Sequence, residues 1–258
     1  MCGLSGIISF DKAPVNISHF DILGTLNDER GGDSCGIFID GNVKYGVEEN
    51  KKFRDFTKLL IYPETFNIAL IHCRWTSSIN TTSITQAQPV CIYNESGKID
   101  YVLMHNGTIY NSHALADKYL HKIVDITGMS DSQIMANIFY YNGYDVLNEY
   151  IGTAAFVIVD YRNETPEVLF FKGDSEFNPE GAKEERPLYC MFYDNKLYFS
   201  SMTYPLNLIS RDSQVYIVPV GKLCKLIEGY KFQIVLRTNR YHFDSKLIKK
   251  VKKKYKIY

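Results

Sequence analysis

The apolar positions of this chain fall mostly into short runs rich in Ile, Val, Tyr and Phe. They predict β-strands over 4–10, 36–39, 67–74, 100–105, 154–160, 167–172, 188–193, 196–201, 214–220 and 231–236. Asp194-Asn195, between two of these runs, suits a tight hairpin turn. Several runs are apolar throughout instead of alternating, as expected where a sheet is covered on both faces. Helices supply the cover. Ser130-Asp131-Ser132-Gln133 reads as a capping box, with Ser130 as N-cap and Gln133 reaching back, and opens a helix continued by Ile134, Ile138 and Tyr141. A second helix follows Asn111 over 112–121, with Leu115 and Tyr119 on one face, and a third is expected over 18–28. Helices interrupting antiparallel strands predict an α+β domain with stacked sheets between helical layers. Residues 174–186 are polar, include Pro179 and Gly181, and read as a surface loop.

Composition narrows the class. With 258 residues and 45% hydrophobic content the chain can bury a substantial core as one large domain or two small ones. No apolar run approaches the roughly 20 residues that span a bilayer, and no secretory signal pattern opens the chain, so the cytoplasm is the expected compartment. The six cysteines are widely spaced, with no CxxC and no zinc-finger spacing, which suits free thiols in a reducing environment. Basic and acidic side chains balance at 29 each, but seven lysines and no acid lie in residues 245–258, which leaves the preceding residues at 22 against 29, a net −7. Within that tail Leu247, Val251, Tyr255 and Tyr258 recur at helical spacing, so it reads as a solvated terminus or as an amphipathic docking element.

Candidate chemistry begins at Cys2. Removing Met1 would place a thiol and a free α-amine on one residue, with ordinary pKa values of about 8.5 and 8, so that nucleophile and base stand together. Four further segments are polar or glycine-bearing where a β-protein core would not require it. They are Arg30-Gly31-Gly32-Asp33-Ser34-Cys35-Gly36, His72-Cys73-Arg74-Trp75-Thr76-Ser77, His105-Asn106-Gly107-Thr108-Ile109-Tyr110-Asn111, and Ser130-Asp131-Ser132-Gln133. Two of these directly follow predicted strands, where side chains can reach a cleft. Taken singly each has a plain alternative: Gly107 and Asn106 suit a turn, Asp131 suits the first turn of any helix, Arg74 suits a surface ion pair, and Trp75 suits the core. His72 and His105 read best as satisfied structural histidines, and no regular ligand spacing supports a metal.

Together with the N-terminal Cys-Gly-Leu-Ser-Gly-Ile, these segments resemble, in order, the glutaminase domain of class II glutamine amidotransferases, which are N-terminal-nucleophile hydrolases. The resemblance runs from Cys2 to about Leu206. It implies a four-layer αββα fold of two stacked, mainly antiparallel sheets between helical layers over residues 1–244, followed by the lysine-rich tail 245–258. It also implies that Cys2 attacks the side-chain amide carbon of L-glutamine to give a thioester and ammonia, with the Asn106 side-chain amide and the Gly107 N–H as oxyanion hole. Arg74 would grip the α-carboxylate and Asp131 the α-ammonium. Trp75, Thr76 and Ser77 would line the substrate pocket, while Arg30 and Asp33 would order the site beside the nucleophile. No cofactor and no metal are expected.

Gln86-Ala87-Gln88-Pro89 and the Arg74 segment resemble glutamine phosphoribosylpyrophosphate amidotransferase and glucosamine-6-phosphate synthase, whereas the Asn106 segment and Pro187-Leu188-Tyr189 are closer to asparagine synthetase. Because those relatives continue into a synthase domain, the expectation is a stand-alone glutaminase that passes ammonia to a separate synthetase or transferase subunit, without membrane or nucleic-acid partners. Other readings are a different N-terminal-cysteine amidase, a non-catalytic binding module that retains the fold, or a nucleic-acid-associated protein tethered by its lysines.

Overall fold

The structure is a computed structural model that describes residues 1–11, 13–46, 52–58, 62–63, 65–75, 86–173, 186–228 and 231–238. The tail 245–258 lies outside the described residues, as does all of the predicted loop except Arg186.

Two antiparallel sheets stack face to face. The first contains β1 (Gly3–Ser9), β2 (Ser34–Ile39), β3 (Asn42–Gly46), β4 (Ile68–Arg74), β9 (Tyr189–Tyr193), β10 (Lys196–Ser200) and β11 (Val215–Ile217), in the order β11-β9-β10-β1-β4-β2-β3. The second contains β5 (Val90–Tyr93), β6 (Ile99–Ile109), β7 (Gly152–Asp160), β8 (Glu167–Lys172), β12 (Lys222–Ile227) and β13 (Lys231–Arg237), in the order β13-β12-β8-β7-β6-β5. Helices α1 (Ile17–Asn27), α2 (Phe53–Thr57) and α5 (Thr203–Ile209) cover the outer face of the first sheet; α3 (Ser112–Tyr119) and α4 (Asp131–Asn142) cover that of the second. This is the four-layer αββα arrangement that the resemblance implies.

Strand periodicity explains why the apolar runs are continuous. Successive side chains of β7 alternate between Ala155, Val157 and Val159, which face the other sheet, and Ala154, Phe156 and Ile158, which face α4. In β8, Val168 and Phe170 point inward while Leu169 and Phe171 point to the helices. Each such side chain contributes roughly 1.5–3 kcal/mol of burial, so neither face can be polar without cost.

Local signals account for the element ends. The capping box is complete: Gln133 N–H donates to Ser130 Oγ at 3.3 Å and Ser130 N–H to Gln133 Oε1 at 2.8 Å. Asp194 and Asn195 both adopt positive φ, 49° and 55°, as a tight hairpin turn demands. The strand expected over 214–220 is shorter, Val215–Ile217, and β3, β5, β12, α2 and α5 add to the expected elements.

Candidate active site

Order in the first sheet decides where Cys2 sits. β1 is its central strand and Cys2 immediately precedes it, with the Cys2 side chain against the cluster between the sheets. Continuing the β1–β4 pairing one residue beyond Gly3↔Cys73 sets Cys2 across from Arg74, which β2 meets with Ser34. Trp75 N–H donates to Cys2 Sγ at 3.5 Å, and Arg30 Nε donates to the Cys2 carbonyl oxygen at 3.3 Å. Asp33 N–H donates to the Arg74 carbonyl at 3.0 Å, so the Arg30–Asp33 turn braces both neighbours of the thiol.

Burial pushes the Cys2 thiol above its ordinary value, opposed by the Trp75 N–H and by the positive charges of the N-terminus, Arg74 and Arg186. The α-amine, here on Met1, is lowered by burial and by Arg186 and Arg30 against the opposing charges of Cys2 and Asp33. The surrounding cations favour the thiolate.

Across the sandwich, β6 alternation puts Asn106 on the same inward face as Val102 and Met104. Asn106 is 1% exposed, and its Nδ2 has no hydrogen-bond partner among the described residues. Such a buried donor costs about 1–3 kcal/mol unless something accepts from it. Gly107 follows with φ of +149°, and a Cβ there would overlap the Thr153 carbonyl oxygen of β7. The segment from His105 was expected to follow its strand; instead β6 runs through it to Ile109, since Gly107 keeps the pairing by a conformation only glycine adopts readily.

Asp131 opens α4. Its Oδ2 accepts the Ile109 N–H at 2.8 Å and its Oδ1 accepts the Ser132 N–H at 2.8 Å, so the carboxylate is held at the end of β6 with spare acceptor capacity. Arg74 Nη2 donates to Gln86 Oε1 at 3.3 Å. Trp75 is 57% exposed, which corrects the core reading of this residue: its side chain stands in solvent while its backbone touches Cys2. Thr76 and Ser77 lie outside the described residues. Cys2 and Arg74 thus come from the first sheet, Asn106 and Gly107 from the second, and Asp131 from the helix over it.

A family model described as "Glutamine amidotransferase domain" matches residues 74–207. The chain belongs to the class II glutamine amidotransferases. It is 25% identical over 254 residues to a glutamine–fructose-6-phosphate aminotransferase of Bacteroides thetaiotaomicron, covering 93% of this chain and 38% of that protein. Over 206 residues it is 25% identical to a putative glutamine-hydrolysing asparagine synthetase of Methanocaldococcus jannaschii, covering 78% and 34%. The chain therefore spans little more than a third of the length of these relatives. The B. subtilis glutamine phosphoribosylpyrophosphate amidotransferase complexed with ADP and GMP superimposes with TM-score 0.62 at 19% identity, over 90% of this chain and 49% of that one. A structure titled as the allosteric regulatory enzyme of purine biosynthesis gives 0.68 at 18% identity, over 93% and 50%. These likenesses identify the N-terminal-nucleophile hydrolase fold.

Two histidines stitch the layers of this amidotransferase domain. His72 Nε2 lies 3.2 Å from the His105 carbonyl oxygen, which joins β4 to β6 one residue before Asn106. Burial lowers His72 to about 3 and also lowers His105, so both imidazoles are neutral at pH 7. Both are buried and bonded through one ring nitrogen as structural histidines are, but His72 Nδ1 and His105 Nε2 have no hydrogen-bond partner among the described residues, so the expectation of satisfied histidines is met only in part. Below the ordinary value of 6.5 the unfolded chain takes up protons that the native chain refuses, so stability falls as pH drops from 6.5 towards 3. The slope reaches ~1.4 kcal/mol per pH unit per histidine. Denaturation midpoints measured from pH 7 to pH 4 check this, and a pH dependence left unchanged by His72→Asn would contradict it.

Sequence reasoning missed two residues of this region. Arg186 acts electrostatically on Cys2, Arg30 and His105; its only signal was its place immediately before Pro187-Leu188-Tyr189. Gln88 is buried and bonded to both His105 and Ser132, and its signal was the Gln86-Ala87-Gln88-Pro89 motif. Among the described residues no group of three His, Cys, Asp or Glu is arranged to hold a metal ion, and no helix is long and apolar enough to cross a membrane.

Proposed function

We propose that this chain hydrolyses L-glutamine to L-glutamate and ammonia through a Cys2 thioester. The observation that carries the reading is the buried, unpartnered Asn106 amide on the inward face of β6, in a sandwich whose other sheet carries Cys2 on its own inward face. Attack by Sγ on the side-chain amide carbon moves an electron pair onto its oxygen, and Asn106 Nδ2 with the Gly107 N–H receives that charge. Collapse expels ammonia, which leaves with a proton carried by the α-amine of Cys2 once Met1 is removed; water then attacks the thioester and releases glutamate.

Arg74 pairs with the substrate α-carboxylate and Asp131 with its α-ammonium, while Trp75, Thr76 and Ser77 line the pocket and Arg30 and Asp33 brace its floor. The domain assignment over 1–244 follows from the same reading. Ammonia passes to an acceptor-consuming synthetase or transferase activity, as the name of the fructose-6-phosphate aminotransferase relative suggests; that this activity lies on a separate subunit is our proposal and is not supported by those longer relatives. The cytoplasm suits the six free cysteines, two of which flank or form this site.

The other amidase reading differs in the substrate it needs. An enzyme for acylated amines would present an apolar pocket to the acyl chain, whereas Arg74 and Asp131 place opposite charges around the site. Processed protein incubated with L-glutamine is expected to release glutamate and ammonia in equal amounts and to leave N-acyl amides intact. Cleavage of the acyl amides with glutamine untouched would transfer the chain to that class, and no cleavage of either would return it to a binding module.

A further inference from the structure

We infer that Gln88 is a positioning residue that holds the oxyanion strand and the substrate-ammonium carboxylate in one register, an inference that rests on the glutaminase reading above. Gln88 is 8% exposed and both ends of its amide are satisfied: Oε1 accepts the His105 N–H at 2.6 Å and Nε2 donates to Ser132 Oγ at 3.1 Å. Ser132 Oγ also lies 2.9 Å from His105 Nδ1. Ser132 Oγ accepts from Gln88 and also lies 3.4 Å from Asp131 Oδ1, so its hydroxyl proton has both the imidazole and the carboxylate within reach. Either way Ser132 Oγ couples the His105 ring to Gln88 and to the Asp131 turn.

The arrangement fixes one residue from three sides. The His105 N–H is held by Gln88, its carbonyl by His72 of the opposite sheet, and its ring by Ser132. His105 directly precedes Asn106, and Ser132 directly follows Asp131, to which it donates its N–H. One side chain thereby reaches both the residue before the oxyanion donor and the residue after the ammonium acceptor. Its backbone is anchored as well: Gly36 of β2 approaches so closely that a Cβ there would overlap the Gln88 carbonyl oxygen. Gln88 therefore ties the first sheet, the second sheet and α4 together at the site. An apolar residue of equal length would fill the space but leave the His105 N–H buried without an acceptor.

Two variants separate positioning from packing. Gln88→Met keeps the volume and removes both bonds; Gln88→Glu keeps the acceptor for His105 and loses the donor to Ser132. With L-glutamine as substrate, Gln88→Met is expected to lower kcat by about 10- to 100-fold and raise KM about 5-fold or more, because both halves of the site lose register. Gln88→Glu is expected to recover kcat to within about 5-fold of wild type while KM stays raised, since the oxyanion strand is again held and the Asp131 turn is not.

Wild-type kcat and KM in Gln88→Met would overturn the inference whatever its melting temperature. So would equal losses in both variants that vanish when rates are divided by the thiol-titrated active fraction. If Gln88→Met does not fold, Gln88→Glu carries the test, and a wild-type KM there overturns it. An active wild type with indifferent variants sinks the positioning role alone, whereas a wild type that never hydrolyses glutamine sinks the glutaminase reading and this role with it.

Discussion

Cys2→Ala is expected to lower glutamate release by on the order of 10⁴-fold or more, because the proposed thioester cannot form without the thiol. The substitution removes one sulfur at the start of β1, where Sγ meets the Trp75 backbone and the edge of the cluster between the sheets, so the fold is expected to lose little. Binding of L-glutamate should persist in the variant, as the Arg74 and Asp131 charges are untouched. Quenched-flow trapping of the acyl-enzyme in wild type, with its absence in Cys2→Ala, measures the step directly. Residual turnover in Cys2→Ala at a tenth of wild type would mean that the thiol is not the nucleophile. Intact mass belongs to the same experiment, since the proposed proton carrier exists only in molecules that have lost Met1.

Asn106→Leu is expected to separate activity from stability. The Asn106 Nδ2 donor is buried without a partner among the described residues, a placement that costs about 1–3 kcal/mol unless something accepts from it. Leucine removes that cost and packs against the Val102 and Met104 side of β6. The denaturation midpoint should stay the same or rise. Meanwhile kcat for glutamine should fall about 10²- to 10³-fold with little change in KM, the signature of a donor used only when charge develops on the substrate oxygen. A variant that is less stable and fully active would show Asn106 to be an ordinary core residue.

Much of this architecture was legible in the order of residues, for identifiable reasons. Strands such as Glu167–Lys172 announced themselves because both faces are buried, and α4 because the Ser130 box closes on itself. β3 escaped because Asn42–Gly46 lies at a sheet edge with alternating exposure, so half of its side chains are free to be polar. β12 carries Lys222 and Lys225 on an otherwise apolar strand, which broke the run that periodicity seeks. α5 has Pro205 in its first turn, a position that the geometry tolerates but that reads as a break.

Of the proposed site, Cys2, Arg74, Asn106, Gly107 and Asp131 stand out in the sequence by residue type and motif order. Gln88 was less visible, since its role lies in backbone N–H and hydroxyl partners contributed by β6 and α4, and no local spacing encodes where those will fall. Asn111 makes the same point. It precedes α3 as its place before a predicted helix implies, and its amide additionally accepts the Ile151 N–H at 2.6 Å and donates to the Glu149 carbonyl at 3.0 Å, joining two distant segments.

The solitary tryptophan gives the chain a built-in optical reporter. With one indole in 258 residues, exposed to water while its own amide touches the Cys2 sulfur, ultraviolet emission near the red edge arises from a single address. Any molecule that settles over that sulfur changes the colour or brightness of the whole protein's fluorescence, with no second indole to dilute the signal.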